Sequence, residues 1–303
     1  MAEPVVLYEK DPATHIARVT FNRPDKLNAL IDEMYDLMGE ALDDAARDDE
    51  IKVVILRGAG NTFTSGQDMS VAYSWYGAPP PPPGEKPRRP TQRRRLTYDR
   101  YAQAVYHDLY KHNKVLVAQV EGHALGGGLE FLLSCDLTVV GHGTQVGMPA
   151  ARFLGPVLGN LHLFFYRLGP VVAKDLLLTG RVADAAELAE RGAFTRFVPR
   201  GRVAEEAEAL AAMVARMPAD GIAIAKEMFR LVQETPGMAQ ADVTEIVAHA
   251  FGTNLSFRAD EYNFVKIRSK VGTKRAFELR DAYFDRGEPL PDLDAEEERR
   301  SGW

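Results

Sequence analysis

Strand-like and helical patterns alternate along the first part of the chain, and this alternation limits the folds that it can adopt. Residues 15–24 alternate apolar and polar positions with the period of a β-strand and stop at Asn-Arg-Pro. Residues 29–49 place apolar residues at helical spacing, with Asp and Glu elsewhere. The pattern continues with strands at 51–60, 114–122 and 135–143. A short helix that begins at glycines lies between the last two, at 126–134. Such alternation predicts an α/β (α+β) layer architecture.

From about residue 170 the pattern becomes largely helical. We therefore divide the chain into an α/β core, residues 1–200, and a C-terminal helical region with a polar tail, residues 201–303. An insertion at about 75–97 interrupts the core with five consecutive prolines and then five arginines between Arg88 and Arg95. Proline runs favour extended polyproline II structure, so a solvated surface segment is the favoured interpretation. The alternative is that the arginines meet the phosphates of an anionic ligand.

The charge and cysteine content exclude several classes of function. The net charge of −6 gives no general attraction to nucleic acids or to anionic membranes, and neither is expected as a partner. The one cysteine, Cys135, excludes an intrachain disulfide and is typical of a reducing compartment. The first residues have no apolar core of a signal peptide, and no stretch is long enough to span a bilayer. We expect a cytoplasmic protein.

Two glycine-rich turns could carry chemistry. In the stretch 121–136, Gly-Gly-Gly at 126–128 precedes Glu130 and an apolar helix. The first N–H groups of a helix have no internal partner, so such a turn can donate hydrogen bonds to an oxygen that gains negative charge. A second turn, Ser-Gly-Gln-Asp at 65–68, follows the strand at 51–60. The two turns could form one oxyanion hole, or each could be only a tight connection with close packing.

Four segments, in this order and spacing, resemble the crotonase family, also called the enoyl-CoA hydratase/isomerase superfamily. They are FNRPDKLNAL (21–30), VVILRGAGNTFTSGQDMS (53–70), VEGHALGGGLEFLLSCDLTVV (120–140) and LLLTGRVADAAELAERGAFTRFV (176–198). The resemblance covers nearly the whole chain apart from the insertion and the tail. It implies a spiral of repeated ββα units and C-terminal helices that build a homotrimer or homohexamer. It also implies an acyl-CoA thioester as the ligand.

The resemblance further implies the residues of an acyl-CoA site. The backbone N–H groups of Gln67 and Gly127 correspond to the oxyanion hole that would hold the thioester enolate. Glu130 corresponds to one of the two glutamates with which the hydratases of this family position and activate water. The alternative for Glu130 is an acid that the helix dipole favours in the first turn. Positions that would contact CoA are Lys26, Leu27 and Ala29, and the other substrate-binding positions are Ser65, Gln67, Asp68, Met69, Ser70, Gly127 and Ala150.

The chain departs from the family at the second hydratase glutamate, which normally follows a proline. The matching segment is VGMPAARFLG, so Ala150 stands at this position and cannot transfer a proton. Loss of general acid assistance ordinarily costs about 10²–10⁴-fold in rate. Other polar groups nearby in the sequence are possible substitutes, although each taken singly is more typical of a structural or surface residue: His123, His142, His162, Asn160 and Tyr166.

Three functions stay open on this sequence. The first is an enoyl-CoA hydratase-like enzyme with Glu130 as its main acid/base. The second is another reaction through the same enolate, by a hydrolase, a carbon–carbon lyase or an isomerase. The third is an acyl-CoA-binding protein with little turnover, which Ala150 supports and Glu130 opposes. The sequence contains no P-loop, dinucleotide fingerprint, nucleophile elbow or metal-spaced ligand set, so we expect no metal and no redox cofactor, with coenzyme A entering as part of the substrate.

Overall fold

A six-stranded sheet forms the centre of the computed structural model, which describes residues 3–71, 91–155, 160–234 and 261–293, together with residues 237, 257, 295 and 296. Its order is β1-β2-β3-β4-β6-β9; β1 is antiparallel to β2, and the other neighbours are parallel. The strands are β1 (Val6–Asp11), β2 (Ile16–Phe21), β3 (Val53–Gly58), β4 (Val115–Val120), β6 (Leu137–Gly141) and β9 (Arg196–Val198). A smaller sheet contains β5 (His123–Leu125), β7 (Gln145–Gly147) and β8 (Val182–Asp184).

Helices cover both faces of the large sheet and build the C-terminal region. The described helices are α1 (Asp32–Arg47), α2 (Gln92–Lys111), α3 (Gly127–Ser134), α4 (Ala151–Leu154), α5 (Leu161–Thr179), α6 (Ala185–Ala189), α7 (Val203–Ala215), α8 (Ala219–Glu234), α9 (Phe264–Val271) and α10 (Thr273–Arg286). Together with the alternating strands, they confirm the mixed α/β architecture and the helical C-terminal region.

Strand β3 shows why the sheet is buried on both sides. Val54 and Leu56 point into the main core with α1 and α3, whereas Val53 and Ile55 pack against α7. Parallel strands with two covered faces are typically apolar throughout, which is the pattern of residues 53–56. Because α7 covers one face, the first long helix of the segment 201–303 contributes to the packing of the sheet.

Helix α1 confirms the helical spacing that the sequence shows. Met34, Met38, Ala41, Leu42 and Ala45 form its buried stripe and lie three or four residues apart. This spacing puts all five on one face of an α-helix, and that face packs into the main core.

Helix α2 differs from the sequence-based interpretation of its region. The interpretation placed an insertion at about 75–97, but the helix begins at Gln92 and Arg95 is buried. The proline run and residues 72–90 lie outside the described residues. The apolar stripe of α2 was missed because tyrosines supply part of it: Tyr106 is 3% exposed and packs into the main core beside Leu109.

The two C-terminal helices form a separate small core that packs against the rest of the chain. Phe264, Ile267 and Val271 of α9 are buried with Ala276 of α10, and Met69 and Ala150 pack against this cluster. Arg152 ties the two parts together, since its guanidinium lies 2.5 Å from the carboxylate of Asp285. Glu296 of the polar tail is also buried, and it accepts two hydrogen bonds from Arg275 of α10.

Helix α8 buries none of its residues. It exposes several large apolar side chains, with exposed fractions between 55% and 65%: Ile224, Met228, Phe229, Leu231 and Val232. Within the described ranges, no helix is long and apolar enough to cross a membrane.

Candidate active site

The two glycine-rich turns of the sequence lie in direct backbone contact. Thr64 pairs with Ala124 of β5 in a parallel bridge, and the N–H of Leu125 donates to the carbonyl of Thr64 at 3.2 Å. A Cβ atom on Gly66 would lie only 2.5 Å from the carbonyl oxygen of Leu125. The structure therefore brings the turn at 65–68 to the start of α3.

The segment that resembles a CoA-binding loop flanks the same turn on its other side. The N–H of Leu30 donates to Gly66, the N–H of Asp68 donates to Leu30, and the N–H of Ser65 donates to Leu27, at 2.9–3.0 Å. Leu27 follows a short 3₁₀ helix, Pro24–Lys26, and is 48% exposed. Lys26 is also exposed, whereas Ala29 is half-buried.

Each of the three consecutive glycines meets a different requirement. Gly126 has a φ of +55°, a region that L side chains rarely adopt. A Cβ on Gly127 would lie 2.5 Å from the hydroxyl of Tyr106, and one on Gly128 would lie 2.6 Å from Cγ2 of Thr64. The glycines therefore allow one turn and two close contacts. The residues that make these contacts, Tyr106 and Thr64, both lie around the candidate site.

The backbone donors at Gln67 and Gly127 point away from regular structure. Leu30 bonds to Gly66 and Asp68, and in a parallel bridge this directs the N–H of the intervening Gln67 to the opposite side. Gly127 is the first residue of α3, so its N–H has no helical acceptor. It donates instead to the side-chain Oε1 of Gln67 at 3.3 Å. The two proposed oxyanion donors are therefore close to the same residue. One is the backbone N–H of Gln67, and the other is the N–H of Gly127, which lies beside the Gln67 side chain.

Glu130 is buried one turn into α3 and is only 7% exposed. Its Oε1 accepts a hydrogen bond from Nδ2 of Asn160 at 3.2 Å. Asn160 is 2% exposed and precedes α5 in the left-handed conformation, with a φ of +61°. A buried carboxylate is costly without partners, so Asn160 stabilises and orients Glu130. This function of Asn160 could not be assigned from sequence spacing.

Two tyrosines that the sequence analysis missed surround the side chain of Gln67. Its Nε2 donates to the hydroxyl of Tyr35 and, at 3.4 Å, to the hydroxyl of Tyr106. The two hydroxyls lie 3.2 Å apart. Burial raises the pKa of both phenols, and the negative charge of Glu130 raises it further, so both stay protonated at neutral pH.

Asp68 fixes the turn that carries Gln67. Its carboxylate accepts hydrogen bonds from the backbone and hydroxyl of Ser70 and lies 3.0 Å from the guanidinium of Arg23. Burial acts to raise the pKa of Asp68, but the hydrogen bonds from Ser70 and the charge of Arg23 outweigh it and hold the pKa below its usual value. Asp68 therefore holds the loop by these hydrogen bonds, whereas the sequence analysis placed it only among the substrate-binding positions. Of the neighbouring positions, Ser65 is half-buried and Met69 packs against the C-terminal helices.

A model of the enoyl-CoA hydratase/isomerase family matches residues 12–271 of this chain. The chain belongs to this family. It is 32% identical over 236 residues to enoyl-CoA hydratase EchA19 of Mycobacterium tuberculosis, covering 77% of this chain and 82% of the relative. It is 26% identical over 255 residues to 1,2-epoxyphenylacetyl-CoA isomerase of Escherichia coli, covering 84% and 93%. A crystal structure of an enoyl-CoA hydratase/isomerase from Xanthobacter autotrophicus Py2 matches with a TM-score of 0.79 at 28% identity, covering 92% of this chain and 98% of that one.

Ala150, the position that the sequence analysis matched to the second hydratase glutamate, is the N-cap residue of α4. It is half-buried and packs against both the main core and the C-terminal cluster around Tyr262 and Phe264. The methyl group therefore belongs to an apolar junction between the core and the C-terminal helices of the same chain. An alanine side chain has no proton to transfer.

The possible substitutes lie in different surroundings. Asn160 donates a hydrogen bond to Glu130. His123 is half-buried beside Thr62, and burial together with the charge of Arg200 lowers its pKa. His142 is exposed and its ring lies 4.6 Å from that of Phe197, Tyr166 is 52% exposed, and His162 lies in the first turn of α5. In the part of the chain that is described, no group of three or more His, Cys, Asp or Glu side chains is arranged to hold a metal ion.

Proposed function

We propose that this member of the family acts on an acyl-CoA thioester and adds water to an enoyl-CoA. The observation that carries the proposal is the placement of Gly127 and Glu130 on one turn of α3. The N–H of Gly127, which bonds to Oε1 of Gln67 at 3.3 Å, would be shared with the thioester oxygen, and Glu130 supplies a buried carboxylate held by Asn160. Lys26, Leu27 and Ala29 flank the turn of Gln67 and suit contacts with the CoA moiety.

In the proposed reaction Glu130 takes a proton from water while the water oxygen bonds to the β-carbon. The electron pair of the double bond moves toward the thioester, and the resulting enolate oxygen is stabilised by the N–H groups of Gln67 and Gly127. Glu130 then returns the proton to the α-carbon, so that atoms and charge balance. A single carboxylate performs both transfers, because Ala150 has no proton to give.

A second reaction of the same enolate is favoured by Ala150. The loss of one acid is unfavourable for hydration but leaves the oxyanion donors and Glu130 intact. One relative of this chain is named 1,2-epoxyphenylacetyl-CoA isomerase, so hydration is not the only activity among the relatives. Binding of acyl-CoA without turnover is the remaining alternative.

The conjugated absorbance of enoyl-CoA thioesters separates these functions. We expect purified protein to remove this absorbance from crotonyl-CoA or from a longer or ring-bearing enoyl-CoA, and the product to gain the mass of one water. A product of unchanged mass would indicate isomerisation. Binding of the thioesters with no turnover of any of them would reject hydration for these substrates.

We further propose that the chain forms a homotrimer or homohexamer. Helix α8 exposes a row of large apolar side chains, and patches of this kind typically mark protein interfaces. Sedimentation equilibrium at micromolar concentration gives the mass directly, and a monomer would contradict the proposal. The cytoplasmic location stays a prediction from the sequence.

A further inference from the structure

Three polar side chains from three parts of the chain meet beside Gly127. Tyr35 comes from α1, Gln67 from the turn after β3, and Tyr106 from α2. The hydroxyl of Tyr106 lies so close to Gly127 that a Cβ on this glycine would be 2.5 Å from it. The rings of Tyr35 and Tyr106 also lie against Phe131, at 5.9 and 4.8 Å between centroids. A polar cluster therefore stands in aromatic surroundings at the place where the proposed reaction puts the acyl group.

The orientation of the Gln67 amide follows from its neighbour. A backbone N–H can only donate, so the atom that faces Gly127 is the carbonyl Oε1. The amide nitrogen, Nε2, then faces the two phenols and directs its two protons to Tyr35 and Tyr106. Both phenolic oxygens are acceptors in these bonds.

The two phenols carry one more proton than the hydrogen bond between them uses. Tyr35 and Tyr106 carry one O–H each, and the contact between their oxygens uses one of these protons. Within the described part of the chain, neither hydroxyl has a further acceptor. Burial raises the pKa of both groups, so the second proton is present at neutral pH. A donor in partly apolar surroundings is most stable when it meets an acceptor, and in this network the protein does not supply one.

We propose that the Tyr35–Gln67–Tyr106 cluster is a specificity subsite that receives a hydrogen-bond-accepting oxygen of the acyl group. The preferred substrates are then oxygenated acyl-CoA thioesters and not plain alkyl ones. The inference rests on the proposed function, since it requires the acyl group to lie beside Gly127. The side chains of this cluster take no part in the proton transfers of Glu130, so the subsite acts on which substrate binds and not on the chemical step.

The test compares thioesters that differ in one atom. Butanoyl-, pentanoyl- and hexanoyl-CoA are paired with methoxyacetyl-, methoxypropanoyl- and methoxybutanoyl-CoA, in which an ether oxygen replaces one CH₂ group at equal length. We expect calorimetry to show about tenfold or tighter binding of the ether in at least one pair, a difference of the size expected for one satisfied buried donor. An apolar subsite would instead favour the alkyl thioester of every pair, because the ether oxygen would lose its hydration.

Variants of the two tyrosines make the test specific. Either hydroxyl can donate the shared proton, so Tyr35→Phe or Tyr106→Phe alone leaves one phenol that can serve the ligand. Only the double variant removes both phenolic protons. It also leaves Nε2 of Gln67 without its two acceptors, but in the proposed geometry the phenol oxygens stand between this nitrogen and the ligand oxygen. We therefore expect the double variant to lose the ether preference while keeping its affinity for the alkyl thioesters. Tyr101→Phe is the matched control on α2, since its side chain is 53% exposed and its hydroxyl bonds to Asp36.

The outcomes are distinguishable from failure of the proposed function. Equal binding of both members of every pair, or an ether preference that survives in the double variant, would overturn the inference alone. An equal loss of affinity for both members in the double variant would also overturn it, because the hydroxyls would then serve the part common to all thioesters. A folded protein that binds none of these thioesters would contradict both proposals.

Discussion

Glu130→Gln is expected to lower kcat for enoyl-CoA hydration by about 10²–10⁴-fold, the range for loss of a general acid/base. Glutamine has almost the same shape, and its side-chain carbonyl can still accept the hydrogen bond from Asn160 that Glu130 accepts at 3.2 Å. The buried position, 7% exposed, should therefore stay filled and the fold should be kept. What the variant loses is the capacity to take a proton from water.

The measurement is the initial rate of absorbance loss with saturating enoyl-CoA, with thioester affinity measured separately by calorimetry. Glu40→Gln is the matched control, because Glu40 is exposed on α1 and the same change of charge there leaves the site untouched. We expect the control to keep the wild-type rate. If Glu130→Gln also kept it, Glu130 would be only a first-turn acid favoured by the helix dipole, and another group would be the base.

The sequence predicted those parts of the site that depend on local backbone geometry. Gly66 and Gly126 adopt φ values of +84° and +55°, where glycine is strongly favoured, so both turns leave a visible signal in the sequence. The apolar spacing of α1 and the strand at 53–58 are equally local and were confirmed. Family motifs then connected the two turns, which spacing alone could not do.

The parts that were missed depend on contacts between residues far apart in the chain. Tyr35 and Tyr106 are separated by 71 positions. In a sequence, a tyrosine on the buried face of a helix gives the same pattern whether its ring only packs in the core or its hydroxyl also binds a ligand. The hydrogen bond between Asn160 and Glu130 likewise joins α3 to the start of α5. One local signal was available in α2, where tyrosines recur at positions 98, 101, 106 and 110 in a helix without a strong aliphatic stripe. A buried tyrosine needs a partner for its hydroxyl, so the member of this row that lies on the buried face, Tyr106, points to a polar cluster within a core.

Gly127→Ala is expected to lower kcat by about 10²–10³-fold, an effect similar to that of removing one oxyanion donor. The new methyl group would lie 2.5 Å from the hydroxyl of Tyr106 and 2.7 and 2.9 Å from Nε2 and Oε1 of Gln67. These are the ends of side chains and not backbone atoms, so the side chains can move and the helix can form. These side chains lie beside Gly127, whose N–H is the proposed donor to the thioester oxygen, so their displacement would disturb that space.

Gly39→Ala is the control for the same substitution, since a Cβ there would meet no atom within 4 Å in the described part of the chain. Gly39 lies in the interior of α1, so alanine should leave kcat unchanged and raise the free energy of unfolding by up to about 1 kcal/mol. Enoyl-CoA hydration rates and thermal unfolding of both variants are the measurements. A Gly127→Ala protein that is folded and turns over at the wild-type rate would show that the start of α3 does not bind the reacting oxygen. A folded Gly127→Ala protein that has lost turnover, beside an active Gly39→Ala protein, would support the placement of the oxyanion hole there, because only the first methyl enters that space.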